Sequence, residues 1–343
     1  MSQLVEPGQV GKREFLFDFI SLDDFKEKPL LAMIPKEQKL TNMRMDWQAD
    51  LYNAPNTDGS ADGVPVKAIT NQAANRVKIS SYAQKFRETA GVGSIAEKIS
   101  KVAGNSQGEM ARALDKATEQ ISRSIEAAIG SDNDAQNEES EAKPYLMRGL
   151  GKWYNNTTQT VLPYDAKYST PAASINTTAT ASLSEETDVK PVLESIYTQY
   201  GQAQDLTLVC GTALKRAFTR LTQIASATTN TQVSIRTFNQ DISEKKVTSN
   251  VLFYEGDFNN VQLHTSLLLA VPSGALATPY VPAAAAKARG YVLALDRLAL
   301  SWGWNPEVTN LPPDGSGPRA LIEAVIGLVN KNPLIGGKFA ATS

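Results

Sequence analysis

The feature that most restricts the fold is a pair of alternating segments separated by a long polar insert. In residues 43–50 apolar side chains such as Trp47 alternate with polar ones, and residues 76–80 alternate in the same way. This period is typical of β-strands that bury one face. The insert, residues 51–74, is rich in Asn, Asp, Gly and Pro, which favour turns. We therefore predict an extended β-hairpin whose long tip projects from the domain as a functional loop.

The next segment, GEMARALDKATEQISRSIEAAI, predicts a long amphipathic helix. We place it at residues 106–130, with Ser106 as the N-cap and Gly130 as the stop. Its apolar stripe consists of Met110, Leu114, Ala117, Ile121, Ile125 and Ala128. Its charged face consists of Arg112, Asp115, Lys116, Glu119, Arg123 and Glu126. We expect the stripe to pack on the core and the charged face to meet solvent or a neighbouring molecule.

From residue 188 the pattern is helix, strand, helix and then a run of strands, which predicts an α+β fold with a mixed sheet. Residues 1–40 mix short apolar patches with charge and are predicted to be an arm lying on another surface. Residues 151–187 are predicted to be short strands and loops. Helices are predicted at 188–200 and 211–225. Strands are predicted at 205–210, 232–238, 250–258, 260–265, 291–296 and 298–302. Residues 320–330 fit either a helix or a strand, and we favour a strand because alternate positions are apolar and rich in Val and Ile.

Composition excludes several classes of function. The 34 Lys and Arg and the 36 Asp and Glu give a net charge of −2, so no overall basic field is available to hold nucleic acid. One histidine, His264, and one cysteine, Cys210, are too few for a zinc site or a recognisable catalytic triad. We predict no enzyme activity, no cofactor and no metal. No secretory signal is visible, and prolines interrupt the apolar residues 266–286, which argues against a membrane span.

Two further patterns have plainer explanations than a binding site. Residues 91–96, GVGSIA, match a dinucleotide-binding fingerprint, but the strand before them is too polar for the centre of such a sheet. A hinge between hairpin and helix explains these glycines better. Residues 131–142 are acidic and lack the spacing of a calcium loop, so we expect a solvated surface loop there.

Several motifs, taken in order, carry a resemblance to a known family. They are KPLLAMI (28–34), DWQAD (46–50), NRVKISSYAQKFRETAGVGS (75–94), ARALDKATEQISRSIEAAI (111–129), YEGDFNNVQLH (254–264), YVLALDRLALSW (291–302) and NKNPLIGGK (330–338). Their order and spacing resemble the major capsid (major head) protein of tailed bacteriophages. That family has the Hong Kong 97-type fold, and the chain is most similar to its short-armed major head protein subfamily.

The resemblance implies a division of the chain and a set of contact residues. The implied parts are an N-terminal arm (1–40), an extended loop (41–92), a peripheral domain (93–187 and 241–290) with a spine helix (106–130), and an axial domain (188–240 and 291–343). The implied subunit-contact residues lie on the hairpin and the spine helix. They are Trp47, Asp50, Lys67, Arg76, Lys78, Arg112, Lys116 and Arg123.

The function implied by the resemblance is assembly into the icosahedral head shell of a virion, built in the host bacterial cytoplasm. The subunits would form hexamers and pentamers that enclose packaged double-stranded DNA and contact it without sequence specificity. We expect a separate scaffolding protein, a portal and possible decoration proteins as partners, and no membrane. An encapsulin-type nanocompartment shell is the alternative with the same fold. A β-rich surface or adhesion protein, suggested by the Thr-rich middle, is disfavoured by the missing signal.

Overall fold

The computed structural model describes most of the chain. The described residues are 24, 26–59, 61–63, 69–98, 108–157, 159–201, 205–221, 224–225, 232–233, 251–271, 280–312 and 317–340. Several predicted features lie outside them: most of the arm, Lys67, the proposed cap Ser106, and residues 234–238 of one predicted strand.

The described residues form both helices and strands. The helices are α1 (Pro29–Met33), α2 (Ser94–Lys98), α3 (Glu109–Ile129), α4 (Leu150–Trp153), α5 (Lys190–Tyr200), α6 (Thr212–Arg220) and α7 (Ala284–Ala288). The strands are β1 (Lys36–Lys39), β2 (Arg44–Ala49), β3 (Val77–Tyr82), β4 (Gln84–Gly91), β5 (Ile175–Asn176), β6 (Asp205–Cys210), β7 (Ile224–Ala225), β8 (Gln232–Val233), β9 (Phe253–Glu255), β10 (Asn260–Thr265), β11 (Arg289–Leu293), β12 (Leu298–Leu311), β13 (Arg319–Asn330) and β14 (Gly336–Ala340).

The chain divides into two compact units. The smaller comprises residues 1–26, 87–121 and 306–323, and the larger comprises 27–86, 122–305 and 324–343. The smaller unit contains most of α3, and the larger unit contains the hairpin strands β2 and β3. Four strands form a sheet in the order β1-β12-β13-β4.

A mixed six-stranded sheet with the order β5-β14-β11-β6-β10-β9 forms the core of the larger unit. Its central strand β6 pairs parallel with β10 and antiparallel with β11. The sequence of β6, DLTLVC, is apolar at nearly every position, and Leu208, Val209 and Cys210 are all buried. A continuous apolar run of this kind is typical of a strand that is covered on both faces.

The structure contains the predicted hairpin as the antiparallel pair β2–β3, with Trp47 opposite Ile79. The predicted helix at 188–200 ends where expected, because Gly201 takes a left-handed φ of 78° that residues with a side chain rarely adopt. The strand predicted at 320–330 is β13. The last predicted helix was too long: α6 ends at Arg220 instead of residue 225, and the N–H of Leu221 is shared between two carbonyl oxygens.

Two other predictions are corrected. Residues 151–187 contain little strand: apart from the two-residue β5 they hold most of α4 and short helical turns at Ala166–Tyr168 and Ala172–Ser174. Glu126 was assigned to the charged, exposed face of the long helix, but its side chain is completely buried. In the last turns of α3 Ile125, Ala128 and Ile129 are also buried, so the covered face there is wider than a single stripe.

Candidate functional site: the hairpin and its base

Charged pairs across the hairpin strands help to hold their register. The carboxylate of Asp46 lies 2.7 Å from the Lys78 ammonium and 3.0 Å from Arg44 Nε, and it accepts a 2.5 Å hydrogen bond from the Ser80 hydroxyl. Partial burial opposes ionisation, but these three donors outweigh it and lower the pKa of Asp46 to about 2. Asp46 therefore stays charged at any physiological pH. The candidate contact residue Lys78 is already paired with this carboxylate within its own hairpin.

The insert leaves the strands through a ladder of polar contacts. Arg76 pairs with Asp50 at 3.0 Å. Beyond that pair the side-chain amide of Asn75 donates to the Leu51 carbonyl at 3.3 Å and to the Asn53 side chain at 2.9 Å. Asp50 and Arg76, both candidate contact residues, thus meet each other at the point where the strands end and the tip begins.

Two large apolar side chains on the tip have no cover within the subunit. Tyr52 is fully exposed, and Ile69 keeps 95% of its accessible surface. A folded domain buries such side chains when it can, because each one removed from water contributes about 1.5 to 3 kcal/mol. Two such exposed side chains on one loop are typical of a surface that another molecule covers.

The base of the hairpin is fixed to the larger unit by aromatic side chains. The Trp47 ring lies 5.7 Å from the Trp153 ring, at an interplanar angle of 50°. At the far end of the strands, two residues before β3 begins, the Tyr168 hydroxyl donates a 2.7 Å hydrogen bond to the backbone carbonyl of Asn75. The hairpin is therefore held both along β2 and at the point where the insert meets β3.

Behind Trp153 lies a buried arginine. Arg148 has no exposed surface, and its guanidinium lies 4.7 Å from the Trp153 ring centre and 5.7 Å from that of Tyr164. Its Nε donates to Asp134 at 2.9 Å, and Nη2 donates to the carbonyls of Val161 and Leu162. A buried guanidinium held in this way locks the surrounding rings, since its charge must keep these partners. Arg148 is thus a positioning residue for the base of the hairpin.

A second buried charge ties α3 to α1. The carboxylate of Glu126 accepts hydrogen bonds from the backbone N–H of Leu30 (3.1 Å) and of Leu31 (2.7 Å), and from the Ser266 hydroxyl (3.3 Å). Burial raises the pKa of Glu126 to about 7, although these donors and the nearby Lys28 act in the opposite direction. The helix α1, which lies within the predicted arm (1–40), is therefore attached to the last turns of α3.

The remaining candidate residues lie on α3. Lys116 is exposed, and Arg112 and Arg123 are partly exposed. In the smaller unit the start of α3 is held by a residue that the sequence did not indicate. The Glu97 carboxylate accepts a 3.0 Å hydrogen bond from the Met110 N–H, one of the donors that a helix start leaves unpaired.

Side chains able to do chemistry are scarce in the described part of the chain. His264 is exposed on β10, and burial raises the pKa of the Cys210 thiol to about 12, which keeps it unreactive. Among the described residues, no three His, Cys, Asp or Glu side chains are grouped closely enough to hold a metal ion. Within the same residues, no helix has the length and apolar character needed to cross a membrane.

Solved capsid structures share this architecture. The capsid of cyanophage P-SCSP1u matches with a TM-score of 0.61 and 10% identity, over 96% of this chain and 93% of that chain. The mature capsid of bacteriophage PhiM1 matches with a TM-score of 0.59 and 10% identity, over 97% of this chain and 92% of that chain. The capsid of the native GTA particle matches with a TM-score of 0.58 and 10% identity, over 98% of each chain.

These likenesses establish the fold, which is the α+β Hong Kong 97-like capsid fold. No curated protein is similar enough in sequence to match the chain. The family described as SU10 major capsid protein matches residues 5–343, nearly the whole length. The chain therefore belongs to the SU10 major capsid protein family and is a structural component of the phage head shell.

Proposed function

We propose that the subunit assembles with copies of itself into hexamers and pentamers, and that the hairpin is the clasp between neighbours within each capsomer. The observation that carries this proposal is the pairing of anchored hairpin strands with an uncovered apolar tip. The Trp47–Trp153 contact and the Tyr168–Asn75 hydrogen bond hold the strands, while Tyr52 and Ile69 are left in solvent. Burying these two side chains against a neighbour contributes a modest free energy of association. The symmetry of a shell repeats this contribution at every equivalent contact.

In this proposal each of the four predicted parts of the chain has its own role in the shell. The arm (1–40) reaches a neighbouring subunit, the extended loop (41–92) clasps one, and the peripheral and axial domains form the body of the capsomer. The work of the subunit is mechanical, without a catalytic step. A separate scaffolding protein and a portal direct assembly, decoration proteins are possible additions, and packaged DNA meets the inner surface without sequence specificity.

Removing the tip tests the clasp. With residues 52–72 deleted and the strands rejoined by a short Gly-Ser turn, we expect a folded subunit that no longer forms capsomers or shells. The reason is that the deletion takes away Tyr52 and Ile69 but leaves β2, β3 and their anchors in place. Electron microscopy and sedimentation measure assembly, and circular dichroism measures folding. As a control, Asp58→Ala changes a polar residue of the same tip and should assemble normally. Normal shells from the deletion variant would overturn the proposal.

Reversing charge on α3 tests whether its exposed face is also a contact. We expect the triple variant Arg112→Glu, Lys116→Glu, Arg123→Glu to lose most of its shell yield, because like charges placed at a contact repel instead of attract. Shell yield at several salt concentrations is the measurement, since screening by salt should restore part of it. The control Lys167→Glu reverses an exposed charge elsewhere. An unchanged yield in the triple variant would place this face in solvent.

A further inference from the structure

The attachment of α1 to Glu126 creates one wall of a cleft in the larger unit. The cleft has a volume of about 630 Å³ and lies between the α1 segment, the end of β10 and α6. Its lining includes Lys28 and Pro29 from the first, His264 from the second and Lys215 from the third, with Leu252 beside them.

The walls of this cleft are fixed before anything binds. On one side, the N–H groups of Leu30 and Leu31 are bonded to the buried Glu126. On the other, β10 is paired along its length with β6, and Lys215 Nζ donates to the Val251 carbonyl. A preformed cleft loses little conformational entropy when it is filled.

The chemistry of the lining favours an acidic occupant. Two ammonium groups, Lys28 and Lys215, face one carboxylate, Glu27. Burial lowers the pKa of Lys215, which means that its charge is poorly solvated and would be stabilised by an incoming carboxylate. Leu252, which is 64% exposed, adds an apolar surface. The site therefore suits a peptide segment that carries carboxylates beside small apolar groups.

The subunit itself presents such a segment. Residues 137–142 form the tip of a narrow ribbon, in which the N–H groups of Gln136 and Glu139 bond to the carbonyls of Leu146 and Lys143. Within the tip Glu138, Glu139, Glu141 and Ala142 are all exposed. Only Glu139 is paired with Lys143 by a described contact, at 2.8 Å. None of the residues lining the cleft comes from this tip.

We propose that the cleft binds the acidic tip, residues 137–142, of a second copy of this chain. The proposal rests on the proposed function, because a shell places copies next to each other at high effective concentration. The chain is nearly neutral, with 34 basic and 36 acidic residues. Two copies can therefore attract each other electrostatically only if a basic patch on one faces an acidic patch on the other, as the cleft and the acidic tip would. The contact would add a second link between neighbours, independent of the hairpin.

Cross-linking tests this contact directly. Leu252→Cys and Ser140→Cys place thiols at the cleft and on the tip, and the native Cys210 is buried. In assembled particles treated with a short bismaleimide, we expect the double variant to give about tenfold more linked dimer than either single variant. The matched control pairs Ser140→Cys with Lys167→Cys, which lies outside the cleft. Particles that assemble but give no excess of linked dimer would overturn the contact and leave the shell function intact.

A charge exchange gives a second, independent readout. We expect Glu138→Lys with Glu141→Lys to slow assembly about tenfold at low salt, because electrostatic attraction mainly sets association rates. Adding Lys215→Glu should restore much of the rate, which loss of folding would not allow. Lys215→Glu alone could slow assembly and yet fail to restore the rate of the Glu138→Lys, Glu141→Lys variant. In that case the cleft has another occupant, such as a separate protein, and the proposal is wrong. Failure of the wild-type chain to assemble would instead contradict the proposed function.

Discussion

Replacing Arg148 with methionine is expected to lower the free energy of unfolding by about 3 to 5 kcal/mol, the usual cost of breaking a buried ion pair. Methionine keeps the contact with the Trp153 and Tyr164 rings but leaves Asp134 and two carbonyls without their donor. Because Trp153 also contacts Trp47, we expect shell yield to fall more than stability alone explains. Urea unfolding followed by tryptophan fluorescence measures the first effect, and electron microscopy measures the second.

The neighbouring Lys152 provides the control. Its ammonium lies 3.7 Å from the same carboxylate, but a quarter of its side chain is exposed. We expect Lys152→Met to cost no more than about 1 kcal/mol. The double change Arg148→Met with Asp134→Leu should recover part of the lost stability, since it removes the stranded charge. A loss below about 1 kcal/mol for Arg148→Met would mean that the guanidinium does not hold this cluster together.

Replacing Glu126 with glutamine should change how stability depends on pH. Burial raises the pKa of this carboxyl from 4.5 to about 7 in the folded chain. Between these two values the folded state holds a proton that the unfolded state has released, so stability falls as pH rises. The loss is about 3 kcal/mol between pH 4.5 and 7, and the contribution is constant below and above that window. Glutamine does not titrate, so the variant should lack this part of the slope.

The measurement is the difference in unfolding free energy between wild type and Glu126→Gln at several pH values. Glutamine places an NH2 group, which cannot accept a hydrogen bond, beside the N–H of Leu30 or Leu31, so the variant should be less stable at pH 4.5. This deficit should shrink by about 3 kcal/mol by pH 7. Glu255→Gln, at an exposed site on β9, should keep the wild-type slope. A deficit that does not vary with pH would mean that Glu126 titrates normally.

The sequence was sufficient where structure depends on local periodicity. The hairpin strands and β13 show alternation, and α5 has a glycine at its end, so each could be predicted from nearby residues alone. The resemblance of the ordered motifs to a known family then predicted how these elements are arranged in the fold. The end of α6 was missed because the apolar period continues to Ile224, whereas the helical hydrogen bonds end at Leu221.

The buried charges could not be predicted because their partners are distant in sequence. Glu126 bonds to Leu30, 96 residues away, and on a helical wheel it falls among the charged residues of α3. Only the many apolar residues around it in the last turns could have suggested burial. Arg148 had a clearer signal, since it and Lys152 are the two charges in the otherwise apolar and aromatic run YLMRGLGKWY. Its burial still depends on carbonyls from residues 161 and 162, which no periodicity identifies.

The order of strands in the six-stranded sheet has a consequence for synthesis of the subunit. β14, the last described strand, lies inside the sheet between β5 and β11, and not at its edge. While residues 336–340 are still within the ribosome, β11 lacks one of its two neighbours and the sheet cannot close. A nascent chain therefore cannot complete the body of the capsomer. This delays the association of neighbouring nascent chains on one messenger RNA until residues 336–340 of each chain have left the ribosome.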